Sequence, residues 1–210
     1  MRSKNRPDGQ RSFIERARRE QIIEAGIQTI ADVGYGQASL ARIAERAAIS
    51  KSVISYHFTD KDELIERIVE KIYGDSWLAT KPRLDAEPTA AGKLGTFIEA
   101  EVAYYAAHRA RLLAIGSIVV NHRGADGSLR YPPSAEESVV RVLVDMLRTG
   151  QDSGELGDFD PLPIAVTVSY AITGALEQWV LDPTLDLTAY CDQLVRMFQW
   201  TIRAEPGAAT

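Results

Sequence analysis

Apolar residues recur along the chain at spacings of three and four, which lays one stripe on an α-helix, and no clean period-two run bounded by turns is found. Ser12-Phe13-Ile14-Glu15 has the spacing of a capping box, in which the Ser oxygen and the Glu carboxylate each satisfy a free backbone N–H. It predicts a helix to about Val33, with Ile22, Ile23, Ile27 and Ile30 on one face and Gly34 as its left-handed end. Ser39 can cap a short helix from Leu40 to about Arg46, and Ser50 a second from Lys51 to about His57. Only Ala47-Ala48-Ile49 separates them, so the two must cross. Asp60 with Glu63 opens a long helix through Leu64, Ile65, Ile68, Val69, Ile72 and Tyr73 towards Trp77. Pro82 to Pro88 reads as a connector. Further helices are predicted over Thr89 to His108, with Leu94, Ile98, Val102 and Tyr105 on its stripe, and over Ala110 to Asn121. Gly124 to Pro133 is a loop. Ser134 with Glu137 opens a helix carrying Val139, Val140, Leu143, Met146 and Leu147 that stops by Gly154, and Pro161 to Val180 and Thr188 to Arg203 complete the set. The fold class is all-α, with about nine helices: a three-helix N-terminal domain and a larger C-terminal helical domain.

The last two helices are unusually apolar. Ile164, Val166, Val168, Tyr170, Ala171 and Ile172 surround the first, while Cys191, Val195, Phe198 and Ile202 form one stripe on the second and Leu187, Tyr190, Leu194 and Met197 another. A helix apolar on every side must be covered on every side. Terminal helices have few neighbours, so a second copy packing as a four-helix bundle accounts for them, through Val168, Ile172, Trp179, Tyr190, Leu194, Met197 and Phe198. The alternative is that both lie at the centre of one large core.

Hydrophobic residues make up 45% and charged residues 25% of the 210, a balance that buries a core and excludes global disorder. Net charge is −5, but unevenly placed. Residues 1 to 57 hold ten Lys or Arg against six Asp or Glu, and the rest hold 14 against 23. That asymmetry points to a basic end that meets a polyanion and an acidic body that does not. The basic start, Arg2, Lys4 and Arg6, runs into Pro-Asp-Gly-Gln and not into an apolar stretch, unlike a secretory signal. The longest uncharged stretch in the apolar regions, Pro161 to Leu176, has 16 residues, short of the roughly 18 of a membrane span. A single Cys191 and three scattered His give no disulfide and no zinc spacing. The expectation is a cytoplasmic protein with no membrane contact, metal or cofactor.

Leu40 to Phe58 has the pattern of a helix-turn-helix. Ile43 points inward, Ala44 is small where the helices touch, Ala48 is small in the turn, and Ile49 and Ile54 point inward. The outer face of the second helix keeps Lys51, Ser52, Ser55 and Tyr56. Short hydroxyls reach base edges without filling a groove, and Lys and the Tyr hydroxyl suit phosphate oxygens. Short crossing pairs also occur in proteins that never meet DNA.

Several separated pieces agree in order and spacing with one family: Gly34-Tyr35, Ser39-Leu40-Ala41-Arg42-Ile43-Ala44, Ile49 to Phe58, and Asp60-Lys61-Asp62-Glu63-Leu64. Over about residues 11 to 73 the chain resembles the N-terminal domain of the TetR family of transcriptional regulators. The resemblance implies a homodimer that binds a palindromic operator and a divergent larger domain whose small-molecule effector lowers DNA affinity, most simply as a repressor. It divides the chain into a basic arm (1–11), a helix-turn-helix DNA-binding domain (12–60, motif about 39–58), an effector-binding and dimerisation domain (61–204) and a tail (205–210). Lys51, Ser52, Ser55 and Tyr56 fall on its recognition helix, Ser39 faces phosphate, and Lys61 falls where a phosphate-contacting Lys is usual. His57 is more often a packing residue there than a base contact. Two departures stand out. Ser55 replaces the first of two usual aromatics, and Ala48 replaces a usual Gly, which is tolerable only where that residue is not strongly left-handed. Arg2, Lys4, Arg6 and Arg11 can follow phosphates or form a free tail.

The larger domain offers Trp77, Tyr104, Tyr105, His108, Asn121, His122, Tyr170, Glu177 and Trp179 as polar and aromatic wall residues for an effector, with Tyr104-Tyr105 and His108 the first choice. Its acidic excess favours cationic or neutral effectors. No Ser/His/Asp, Cys/His or paired-carboxylate arrangement can be assembled, so catalytic residues are not expected. The rival readings are an all-α interaction or ligand-binding module whose helix pair is structural, and an enzyme.

Overall fold

A computed structural model of the chain describes residues 8–131 and 138–204, with side chains over 13–131 and 139–204. Nine helices are found among the described residues: α1 (Asp8–Val33), α2 (Leu40–Arg46), α3 (Lys51–His57), α4 (Lys61–Ala86), α5 (Ala90–Ala107), α6 (Arg109–Asn121), α7 (Ser138–Asp152), α8 (Pro161–Leu181) and α9 (Leu187–Ile202). No strand occurs among them, only two isolated bridges, Arg123 to Leu129 and Leu156 to Arg203. The all-α expectation holds.

Some boundaries differ from it. Because α1 begins at Asp8, Ser12 stands inside the helix and does not start it. The arm of residues 1–7, the tail of 205–210 and the Ser134 to Glu137 box lie outside the described residues. Pro82 does not open a connector, since α4 continues through it to Ala86. A proline there takes the donor away from the Leu78 carbonyl, and both residues sit on an exposed stretch where water can replace it. The 21-residue α8 is also long and apolar enough to cross a membrane, because a helix of that length tolerates the single charge of Glu177. The expectation that no segment reaches that length does not hold.

The chain divides into two units, and not at residue 60. The first takes residues up to Tyr73 together with Arg109–Tyr131. In it α1 packs against α2 and α6, and α2 against α3. Ile22, Ile27, Ile30, Ile43, Ile54, Phe58, Leu64, Ile65 and Ile68 are at most 1% exposed, and Ala114 and Ile118 of α6 are fully buried. The start of α4 belongs here because Ile68 closes on Gly26 of α1, where an added Cβ would lie 2.6 Å from its Cδ1.

The second unit takes Gly74–His108 and Pro132–Thr210. Its α5 packs against α7, α8 and α9, and α8 packs against α7 and α9. Leu94, Phe97 and Ile98 of α5, Leu143 and Leu147 of α7, Ala165, Val168 and Ala175 of α8, and Ile202 of α9 are buried. Each of the buried Leu, Ile, Val and Phe side chains contributes about 1.5–3 kcal/mol. At Gly150 the approach of α7 is so close that a Cβ would lie 2.6 Å from those of neighbouring Ala90 and Leu156 side-chain atoms. Asp160 and Asp186 cap α8 and α9 by accepting from Leu162 N and Ala189 N.

Candidate nucleic-acid interface and effector unit

The α2–α3 pair is built as its sequence implies, with two differences. Ser39 Oγ accepts from Arg42 N at 3.3 Å and caps α2. Ser50 stands at the N-cap of α3 but makes no cap bond, its hydroxyl meeting that of Ser52 at 2.7 Å. Between the helices, Ile49 N donates to Ala44 O at 3.0 Å, which forces Ala48 to φ = +53°. Ala48 is therefore left-handed, the conformation that the tolerance of a non-glycine residue was expected to exclude. It is the one non-glycine residue with positive φ among the described residues. Such a residue costs about 1–2 kcal/mol relative to right-handed backbone.

Ile54 of α3 is buried, while Lys51, Ser52, Ser55 and Tyr56 are all exposed, Tyr56 by 75%. Their polar atoms share one face of a helix whose other face is locked in the core. Ser39 is exposed near the start of α2. His57 behaves as a packing residue: it is half-buried, meets the Tyr56 ring edge-on at 5.0 Å, and burial, with Arg19 beside it, lowers its pKa. It is neutral at physiological pH. Lys61 is already engaged, since its Nζ donates to Tyr35 O at 3.0 Å and lies 4.3 Å from the Tyr35 ring centroid. Burial lowers its pKa. An ammonium has three donors, so a phosphate contact is still open to it.

Arg19 of α1 is the residue that counting charges overlooks. Its guanidinium donates to the His57 carbonyl and to Glu63 Oε1 (3.3 Å), and lies 4.4 Å over the Phe58 ring. Glu63 in turn accepts from Thr59 N at 2.7 Å, the bond that chiefly lowers its pKa. One arginine thus ties the end of α3 to α1 and to the start of α4. Arg46 is similarly spent on Asp32 and on Thr29 Oγ1 (3.1 Å).

The nine effector candidates do not converge. Asn121 and His122 belong to the first unit, where Asn121 donates to Ser117 O at 2.9 Å and His122 Nδ1 lies 2.7 Å from the Tyr35 hydroxyl. In the second unit Tyr104 and Tyr105 are buried, Tyr104 stacks on the exposed His108 at 4.4 Å, Tyr170 and Glu177 face outward and Trp179 is half-buried. Trp77 alone of the nine lines a cleft of about 430 Å³ formed by α4, α5 and α7. The unforeseen feature is Glu101 of α5, 9% exposed, whose Oε1 accepts from Ser76 Oγ (2.6 Å) and Thr80 Oγ1 (2.9 Å) of α4. Burial raises its pKa. No group of three His, Cys, Asp or Glu able to hold a metal occurs among the described residues.

Of the candidate interface, Val168, Ile172, Leu194 and Phe198 are at most 7% exposed within their own unit, so they are not free for a partner. Val168 and Ile172 lie on α8, which packs against α5, α7 and α9, and Leu194 and Phe198 on α9, which packs against α5 and α8. Tyr190 and Met197 remain exposed, and Tyr170 and Trp200 join them on the outer surface of α8 and α9.

Residues 22–68 match the model described as bacterial regulatory proteins, tetR family. The N-terminal domain belongs to the TetR family. Relatives include the HTH-type transcriptional regulator BetI of Paraburkholderia phytofirmans, 42% identical over 66 residues, or 31% of this chain and 34% of that protein. BetI of Pectobacterium carotovorum is 43% identical over 67 residues, covering 32% and 34%. The chain thus matches about a third of the length of these relatives. For the whole fold, the fatty acid degradation regulator FadR of Bacillus halodurans superposes with a TM-score of 0.76 at 19% identity, covering 87% of this chain and 94% of its own. FadR of Bacillus subtilis, solved with stearoyl-CoA, gives 0.75 at 21% identity, covering 85% and 96%. The chain thus shares the fold of these two regulators at about 20% identity.

Proposed function

We propose that the chain is a ligand-responsive transcriptional regulator that binds a palindromic operator as a homodimer and is released by a small molecule. The observation that carries this is the outer face of α3, where Lys51, Ser52, Ser55 and Tyr56 are exposed on a helix whose inner face is buried and whose end Arg19 clamps. Base and phosphate contacts need such a rigid platform carrying short polar side chains. The neutral His57 supports the platform. No catalytic role is assigned to any residue.

The exposed Tyr170, Tyr190, Met197 and Trp200 support self-association through α8 and α9, since Trp200 alone leaves 66% of its surface in solvent. A dimer would set two recognition helices about 34 Å apart, one turn of DNA. An effector acts only by binding better to a dimer with another spacing.

Fluorescence anisotropy with promoter DNA and scrambled DNA over a salt series tests the reading. Two chains per site, discrimination between the DNAs and a linear fall of log K with log salt are expected. Tyr56→Ala should lose about 1–3 kcal/mol of operator affinity. Met197→Glu should sediment as a monomer and lose tight binding. Equal affinity for both DNAs at every salt concentration, with Tyr56→Ala unchanged, would leave the helix pair a structural element.

A further inference from the structure

We propose that the cleft at the N-terminal end of α5 binds a small apolar molecule carrying one carboxylate, with Lys93 as its counter-ion; its regulatory consequence, though not the binding itself, rests on the effector reading above. At about 430 Å³ the cleft is within the range of small-molecule sites. Trp77 and Leu84 of α4, Ala90 of α5, and Val142 and Met146 of α7 supply apolar wall. Gly150 brings α7 and α5 close enough to floor it.

The charged groups of the lining differ in what they already hold. Lys81 Nζ donates to both oxygens of Asp85, at 2.7 and 2.6 Å. Glu155 accepts at 2.8 Å from Ala90 N on one oxygen and at 2.8 Å from Ala91 N on the other, so its charge is held by the positive end of α5. The hydroxyls are committed too, Thr149 to Asp145 O (2.8 Å) and Ser153 to Gly150 O (3.0 Å). Lys93 lines the same cleft, and its ammonium has no hydrogen bond or ion pair among the described residues. A cationic ligand would find every carboxylate engaged. A monocarboxylate places its apolar body on the Trp77 to Met146 wall and its one charge against the one uncommitted ammonium. That choice runs against the cationic preference suggested by the acidic composition of the domain, because the local unpaired group, and not the surface total, decides.

The test is calorimetric titration of the full chain, without DNA, with 2-naphthoate, 2-naphthamide and 2-naphthylmethylamine. The acid should bind about tenfold or more tightly than the amide, the scale of a charge-assisted bond. Lys93→Met, a half-buried surface position that keeps the stem, should bring the acid down to the amide's affinity. Met146→Trp, checked for wild-type helicity, should fill the cleft and abolish both. Amine binding equal to acid binding, unchanged acid affinity in Lys93→Met, or no binding of any of the three would overturn the proposal. Repeating the anisotropy with saturating 2-naphthoate separates the two readings. Acid binding through Lys93 with operator affinity unchanged keeps the site and removes it as the effector site, whereas failed operator binding overturns the regulator reading and leaves the titration intact.

Discussion

In the first unit, cations fasten short helices to one another. Arg19 holds the His57 carbonyl and Glu63, Lys61 holds the Tyr35 carbonyl, Arg111 reaches Glu24 at 2.9 Å and Arg130 reaches Glu66 at 2.7 Å. In the second unit α5, α7, α8 and α9 run 15 to 21 residues, with none as short as α2 or α3, and the buried polar centre is Glu101 with Ser76 and Thr80. The difference follows from length. The seven residues of α2 or α3 cover too little apolar surface to fix a crossing by packing alone, so specific side chains hold their ends. Helices of 15 to 21 residues, such as α7 and α8, are fixed by aliphatic contacts that many residues can supply. The family match accordingly lies within residues 22–68, while the fold of the whole chain persists at about 20% identity.

The strongest way to break that comparison is Phe58→Ala. Phe58 is 1% exposed and lies under Arg19, so truncation should cost about 3–5 kcal/mol and abolish operator binding. Trp77, Trp179 and Trp200 all belong to the second unit, so their fluorescence should keep its wild-type urea midpoint while circular dichroism shows an earlier transition. Coincident transitions would mean that the two units unfold as one.

Arg19→Met keeps the stem over Phe58 and removes the clamp. The carbonyl bond and the part-exposed ion pair together are worth about 1–3 kcal/mol. Operator affinity should fall although Arg19 need touch no DNA, and the salt slope should stay as in wild type, since no phosphate contact is lost. A flatter slope would make Arg19 a phosphate ligand.

For the second unit the informative change is Glu101→Gln. Gln keeps an acceptor for Ser76 and Thr80 and removes the buried charge. Burial holds the Glu101 pKa above its unfolded value, so the folded state prefers the protonated form. That stability is full below the unfolded pKa and is lost as pH rises through the folded one. The variant should match wild type near pH 4 and exceed it by about 2–4 °C in Tm at neutral pH. A constant difference across pH would show that Glu101 does not titrate on unfolding.

Helix order was legible throughout, because stripes such as Ile22, Ile23, Ile27 and Ile30 mark a buried face without reference to tertiary structure. So was the outer face of α3, whose inward Ile54 leaves its neighbours outside. The effector region was not. His122 and the α6 before it belong with Tyr35 in the first unit although α5 and α7 on either side in the chain belong to the second, since chain order carries no information about which core a segment joins. Glu101 did leave a signal: it stands on the Leu94, Ile98, Tyr105 stripe, where a carboxylate must find buried donors. The polar partners on α4 could not be read from α5.

The smallest expected effect is the sharpest test of the α2–α3 turn. Ala48 is exposed, so its methyl group contributes no packing, and its φ of +53° is imposed by the Ile49 N to Ala44 O bond. Glycine would relieve about 1–2 kcal/mol of left-handed strain and give back about 0.5–1 kcal/mol through the greater freedom of the unfolded chain. Ala48→Gly should therefore gain about 0.5–1 kcal/mol, seen as a higher urea midpoint with the same m-value. Because α2 and α3 already meet in the required crossing, operator affinity should not change. A tighter operator complex would instead mean that the alanine holds the pair away from its DNA-bound geometry, and a loss of stability would mean that the turn is not left-handed in solution.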